Sequence, residues 1–176
     1  MAIPHAQLVL LLLTSSLFFL PALHASAIDF GNCKDANIDY VFGITNVTQV
    51  EISPYPVGPN DEPTITISGF TSDDSFIIYN ATIHVLYKYE NVTSTIRKYS
   101  LSDVIDEDPG SIEPGENFVL TLSKVPGLQS LPHKDKSKIV VSLVDEYGDD
   151  DEAPLLKMCV EFDNPAPATT ATLFSA

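Results

Sequence analysis

Residues 77–89, IIYNATIHVLYKY, constrain the fold more than any other stretch of the chain. Taken two at a time, Tyr79, Ala81, Ile83, Val85, Tyr87 and Tyr89 fall on one side. Asn80, Thr82, His84 and Lys88 fall on the other, with Ile78 and Leu86 as exceptions. A two-residue period rich in β-branched and aromatic side chains dictates a long strand with one buried face. Asn80-Ala81-Thr82 is also an N-glycosylation sequon. A glycan must point into water, which independently assigns Asn80 to the outward face. One apolar face requires a second sheet to cover it.

The remaining segments supply that cover. Residues 47–53 alternate until Pro54-Tyr55-Pro56 ends the strand, because proline removes a ladder donor. Residues 63–69 turn Ile65 and Ile67 inward, and 95–101 return after a turn carrying the Asn91 sequon. Residues 118–123 point Phe118, Leu120 and Leu122 inward, and 138–145 do the same with Ile139, Val141 and Leu143. The last strand, 155–163, sets Leu156, Met158, Val160 and Phe162 opposite Lys157, Cys159 and Glu161. Turn residues separate these segments and no helical period intervenes. The expected fold is all-β, seven strands in two antiparallel sheets packed face to face. The inward set is Val50, Ile52, Ile65, Ile67, Ile83, Val85, Tyr87, Phe118, Leu120, Leu122, Ile139, Val141, Leu143, Met158, Val160 and Phe162. Alternation is the same whether these side chains interdigitate as a filled core or stand apart around a ligand, and a filled core is the ordinary case.

Composition narrows the setting. Residues 1–27 carry no Lys, Arg, Asp or Glu, and an apolar run over 8–20 ends at Pro21 before Ala25-Ser26-Ala27. That is the pattern of a cleaved secretory signal, and the run is short of the ~20 residues that span a bilayer. The domain expected to remain is 28–164, followed by a Pro/Ala/Thr-rich tail, 165–176, expected to be disordered. All 24 acidic and nine basic residues follow the leader, so the net charge of −15 belongs to the mature part. It argues against nucleic acid and against static adhesion to anionic membrane. Cys33 and Cys159 are the only cysteines, and in an oxidising compartment an isolated pair reads as one disulfide. With both cysteines spent in that disulfide, only His84 and His133 remain beyond the leader, so a Cys/His metal tetrad cannot be built and no cofactor is expected. Sequons at Asn46, Asn80 and Asn91 agree with a secreted or lumenal protein.

A specific resemblance rests on an ordered set of motifs. Asp29-Phe30-Gly31-Asn32-Cys33 is followed by Val50-Glu51-Ile52-Ser53-Pro54-Tyr55-Pro56 and Pro114-Gly115-Glu116-Asn117-Phe118. Lys124-Val125-Pro126-Gly127 and Met158-Cys159-Val160-Glu161-Phe162-Asp163 complete it. In order and spacing the set resembles the ML lipid-recognition domain family, which includes the Niemann–Pick type C sterol carrier and the phosphatidylglycerol/phosphatidylinositol transfer proteins. The resemblance covers 29–164. It implies an immunoglobulin-like β-sandwich without catalytic chemistry, whose sheets part around an apolar cavity for a sterol, acyl chain or phospholipid. On that reading the inward set lines the cavity, and Tyr89, Ile105 and Ile112 stand at its mouth. Cys33 and Cys159 match the family's end-joining pair. Tyr55 stands where relatives have a cysteine and residues 104–113 contain none where relatives have two, so two of three usual disulfides are missing. The implied partners are a lipid or sterol and, transiently, a membrane, with the protein a monomer.

Other constellations carry less. Residues 145–152, DEYGDDDE, would suit calcium in oxygen chemistry but match no known loop spacing, and a solvated turn accounts for them. Lys134, Lys136 and Lys138 would share a face if extended, yet a solvated loop accounts for them too. No Gly-x-Ser-x-Gly elbow occurs, and the acids at 106–108, imaginable as a pair for sugar hydrolysis, read as exposed loop carboxylates. Binding rather than catalysis is expected. The rival reading is an extracellular adhesion or co-receptor module with a filled core.

Overall fold

The alternating stretch becomes an internal strand, hydrogen-bonded on both sides. In the computed structural model, residues 25–33, 45–58, 60–105, 110–128, 131–132, 136–145 and 155–165 are described. They form β1 (Ser26–Ala27), β2 (Phe30–Asn32), β3 (Thr45–Ser53), β4 (Thr64–Thr71) and β5 (Thr82–Tyr89). β6 (Val92–Ser100), β7 (Asn117–Leu122), β8 (Lys138–Asp145) and β9 (Leu155–Asp163) follow. Apart from 3-10 turns at Leu101–Asp103 and at Leu128, every regular element among the described residues is a strand. The expected leader up to residue 24, residues 166–176 of the tail, Lys134 and the acidic run beyond Asp145 lie outside the described residues.

The strands make two antiparallel sheets, β1-β3-β4-β7 and β2-β9-β8-β5-β6. The expected seven strands are all present, and two short ones precede them. The chain pairs Ser26 with Ile52 in the first sheet, then crosses to pair Phe30 with Phe162 in the second. Ile28 donates to the Val50 carbonyl on the way (2.8 Å). Segments of two and three residues are too short to show a period, so sequence pattern does not reveal them.

Two expected phases are corrected. The strand of 77–89 starts only at Thr82, and the two residues flanking the break exchange roles: Ile78 is 1% exposed and Tyr79 56% exposed. Asn80 sits between this pair and the strand at φ 52, the left-handed region that Asn tolerates. The turn there inverts the alternation, so Ile78, an even position, faces inward before it and the odd positions of the strand face inward after it. Ile78 is held by reciprocal backbone hydrogen bonds to Ile112 (3.0 and 2.9 Å). In β9, the register against β8 shifts between Leu143↔Met158 and Val144↔Leu156, leaving Lys157 as the extra residue. This bulge moves Leu156 from the Met158 side to join Val140, Val144 and Cys159 in a second apolar cluster. Leu86, the remaining exception in β5, packs against it.

The main core lies between the sheets. Phe118 and Gly69 are register partners across β7 and β4, and the Phe118 ring lies over the glycine. Thr45 Oγ1 donates to the Lys157 carbonyl (2.6 Å), joining β3 to β9 at one long edge. At the opposite edge Tyr99 Oη and Arg97 of β6 donate to the carbonyls of Ser123 (2.9 Å) and Lys124 (3.0 Å), just past β7. The sandwich is therefore fastened along both sides.

Candidate functional site

Period-two strands place every second side chain in the gap between sheets, and this gap is the candidate site. From the first sheet it receives Val50 and Ile52 (β3), Ile65 and Ile67 (β4), and Phe118, Leu120 and Leu122 (β7). From the second come Ile83, Val85 and Tyr87 (β5), Ile139, Val141 and Leu143 (β8), and Met158, Val160 and Phe162 (β9). All are buried and all belong to one contiguous apolar cluster. The Tyr87 hydroxyl donates to the Pro132 carbonyl (2.9 Å), so its polar end is satisfied at the rim.

The two ends of the gap are built differently. At the end where β4 passes to β5, Ile78, Ala81, Leu101, Val104, Ile105 and Ile112 are all buried. Leu101 donates to Ala81 (2.9 Å), Thr121 to Val104 (2.8 Å), and Ile105 bridges Leu120. Thr71 Oγ1 donates to the Glu113 carbonyl (2.5 Å) and receives the Glu116 amide (3.2 Å), fixing the neighbouring loop. Ile105 and Ile112 thus stand together at this end. Tyr89 does not join them: it is half-buried at the opposite end of β5, beside the turn to β6. That far end is closed by Val57, Val125 and Leu128, with Val125 donating to the Pro63 carbonyl (2.9 Å). These capping residues come from turns, where no period announces them. Their only sequence signal is a single apolar residue beside Pro or Gly.

Ionisable groups are kept to the margins. Lys157 is the one buried charged side chain among the described residues, 3.6 Å from the Asp145 carboxylate at the end of β8. Lys138 pairs with Asp163 (2.9 Å) on the exterior. Burial raises the Tyr99 phenol above its ordinary value of 10.0, and the Arg97 guanidinium, 5.0 Å from the ring centre, opposes that rise. Cys33 and Cys159 form a disulfide with Cα atoms 5.6 Å apart, linking the end of β2 to β9 on the second sheet's outer side. Asn46, Asn80 and Asn91 are exposed.

Two fastened antiparallel sheets packed around an apolar interior define the class: an all-β, immunoglobulin-like sandwich. The ML domain family model matches residues 27–166. The chain is 40% identical to MD-2-related lipid-recognition protein 3 of Arabidopsis thaliana over 169 residues, covering 96% of each chain. It is 37% identical to MD-2-related lipid-recognition protein ROSY1 of the same plant over 125 residues, 71% of this chain and 70% of that one. The chain belongs to the ML domain family.

Proposed function

We propose that this protein binds a lipid or sterol in the gap between its sheets and carries it between membranes, without making or breaking a bond. The observation that carries the reading is the family membership joined to the character of the gap: its side chains are aliphatic, aromatic or thioether, with ionised groups at the margins. Such a surface suits an acyl chain or sterol skeleton, each methylene of which gains ~0.8 kcal/mol on leaving water. A long tail is held on that basis with no ionic contact. Exposed sequons, one disulfide and the apolar leader support a secreted or lumenal, glycosylated protein.

The deciding experiment is organic extraction of protein purified from a eukaryotic secretory host, followed by mass spectrometry of the extract. A lipid recovered in stoichiometric amount, replaceable by labelled sterol or phospholipid, is the expected result. Recovery of none, together with no uptake of either label, overturns the proposal and favours a surface-acting module with a filled core.

A further inference from the structure

The loop from β4 to β5 carries a feature that the interior does not use. Phe76 is 77% exposed, and Ile77 and Tyr79 are about half exposed, within four consecutive positions. Soluble surfaces scatter large apolar side chains singly, and a group of them calls for a partner. The group is also held in place from below. Ser75 and Gly115 both donate to the Ser72 carbonyl (3.0 and 3.2 Å), Thr71 donates to Glu116 (3.0 Å), and the Ile78–Ile112 bridge locks the middle of the segment. Ile78 points inward between two neighbours that point outward, so the exposed side chains are fixed rather than collapsed onto the core. Phe70 and Val119 extend the apolar surface along the outer face of the first sheet at the same end, both exposed and diagonal to one another across the β4–β7 ladder.

We propose that Phe76, Ile77 and Tyr79 form a membrane-docking tip that inserts into the interfacial zone of an uncharged, zwitterionic bilayer. This inference rests on the reading of the interior as a lipid site. Placement supports it: the loop spans from one sheet to the other across the end of the gap, and Ile78 and Ile112 behind it already belong to the core. A lipid leaving a bilayer beneath this tip meets the interior within one residue's depth. Chemistry supports it as well, since an aromatic ring, an aliphatic chain and a phenol with a polar end match the layered polarity of a bilayer interface. Charge selects the kind of bilayer. Residues 70–81 and 110–119 contain no Lys or Arg, while Asp73, Asp74 and Glu116 are exposed around the tip. With a net charge of −15, an anionic surface repels this end. The same carboxylates disfavour a second copy as the occupant, because a face-to-face pair would bring both sets together.

The test uses the mature protein as secreted, with any glycan on Asn80 in place, and in parallel the same protein trimmed by an endoglycosidase to a single sugar; the tip is judged on the secreted form. Partition onto phosphatidylcholine vesicles is measured by flotation, with and without phosphatidylglycerol, and interior loading is measured separately with a lipid dispersed below its micelle concentration. Phe76→Ser is expected to lower the partition coefficient by about tenfold or more, since the benzyl side chain no longer leaves water on insertion. Val92→Ser, at an exposed apolar position by the β5–β6 turn, is expected to leave it unchanged, and both variants should load the dispersed lipid normally. Phosphatidylglycerol is expected to weaken binding at low salt. Vesicle binding by Phe76→Ser equal to wild type overturns the tip. So does a wild-type protein that loads dispersed lipid but ignores phosphatidylcholine vesicles, an outcome that leaves the interior site standing. Vesicle binding without any loading sinks the interior site instead and keeps the tip. Concentration-dependent dimerisation lost in Phe76→Ser assigns the surface to a second copy and overturns the proposal.

Discussion

Gly69 lies beneath the Phe118 ring, and a Cβ there would stand 2.6 Å from the Asn46 carbonyl oxygen and 2.6 Å from Phe118 Cζ. Backbone cannot retreat from that contact without breaking the β3–β4 ladder, so the ring alone is free to yield. Gly69→Ala is expected to destabilise the fold by ~1–3 kcal/mol, as overpacking does. The check is a lowered denaturant midpoint at unchanged slope, and Phe118→Leu added to it should relieve only the ring's share. Tyr99 gives a pH-dependent counterpart. Its phenol keeps its proton more tightly when folded than when unfolded, because burial disfavours phenolate more than Arg97 favours it. The stability that this contributes is complete below pH 10.0 and is lost as pH rises through the higher folded value. A phenolate titration followed by ultraviolet absorbance should show a late-ionising component that is lost in Tyr99→Phe. The variant should also lose ~1 kcal/mol at neutral pH with the hydrogen bond to Ser123.

Elements are positioned by where the alternation breaks as much as by where it holds. Asn80 at φ 52 turns the chain so that Ile78 enters the core and Tyr79 leaves it. A β-branched residue resists that conformation, so Asn80→Val should cost ~1–2 kcal/mol, whereas Asn80→Gly should be nearly neutral. Thermal melts of the two unglycosylated variants make the comparison without the sugar as a confounding change. The same residue shows what sequence pattern carries. The inward residues of the longer strands were legible because alternation is a local property of the chain. Ile78 and Leu156 were not, since a left-handed residue and a bulge each invert the phase without altering composition. Val57, Leu101, Val104 and Leu128 were not, because they come from turns. The outer cluster of Val140, Val144, Leu156 and Cys159 did leave a sign: β8 and β9 read as nearly continuous apolar runs, the mark of strands covered on both faces. How far apart two sheets stand is a property of their packing, and no periodicity encodes it.

Across the whole molecule the Cys33–Cys159 disulfide closes 126 residues of separation and ties the first crossing strand to the last strand. Apart from it, β2 is held by three register pairs with β9 and by the Cys33 amide donating to the Cys159 carbonyl (3.4 Å). β1 adds two pairs on the other sheet. Removing the bond should therefore cost ~2–5 kcal/mol, most of it through the freedom returned to the unfolded chain. Cys159 sits among Val140, Val144 and Leu156, so alanine is the milder replacement and serine would bury a hydroxyl there. Cys33→Ala/Cys159→Ala should melt at the temperature of the reduced wild type and below that of the oxidised protein. Because the disulfide lies on the outer side of the second sheet, away from Val141 and Val160, lipid uptake by the folded double variant should match wild type. Uptake that falls while the variant remains folded would show that the end-joining bond also sets the spacing of the sheets, coupling the outer cluster to the site it backs.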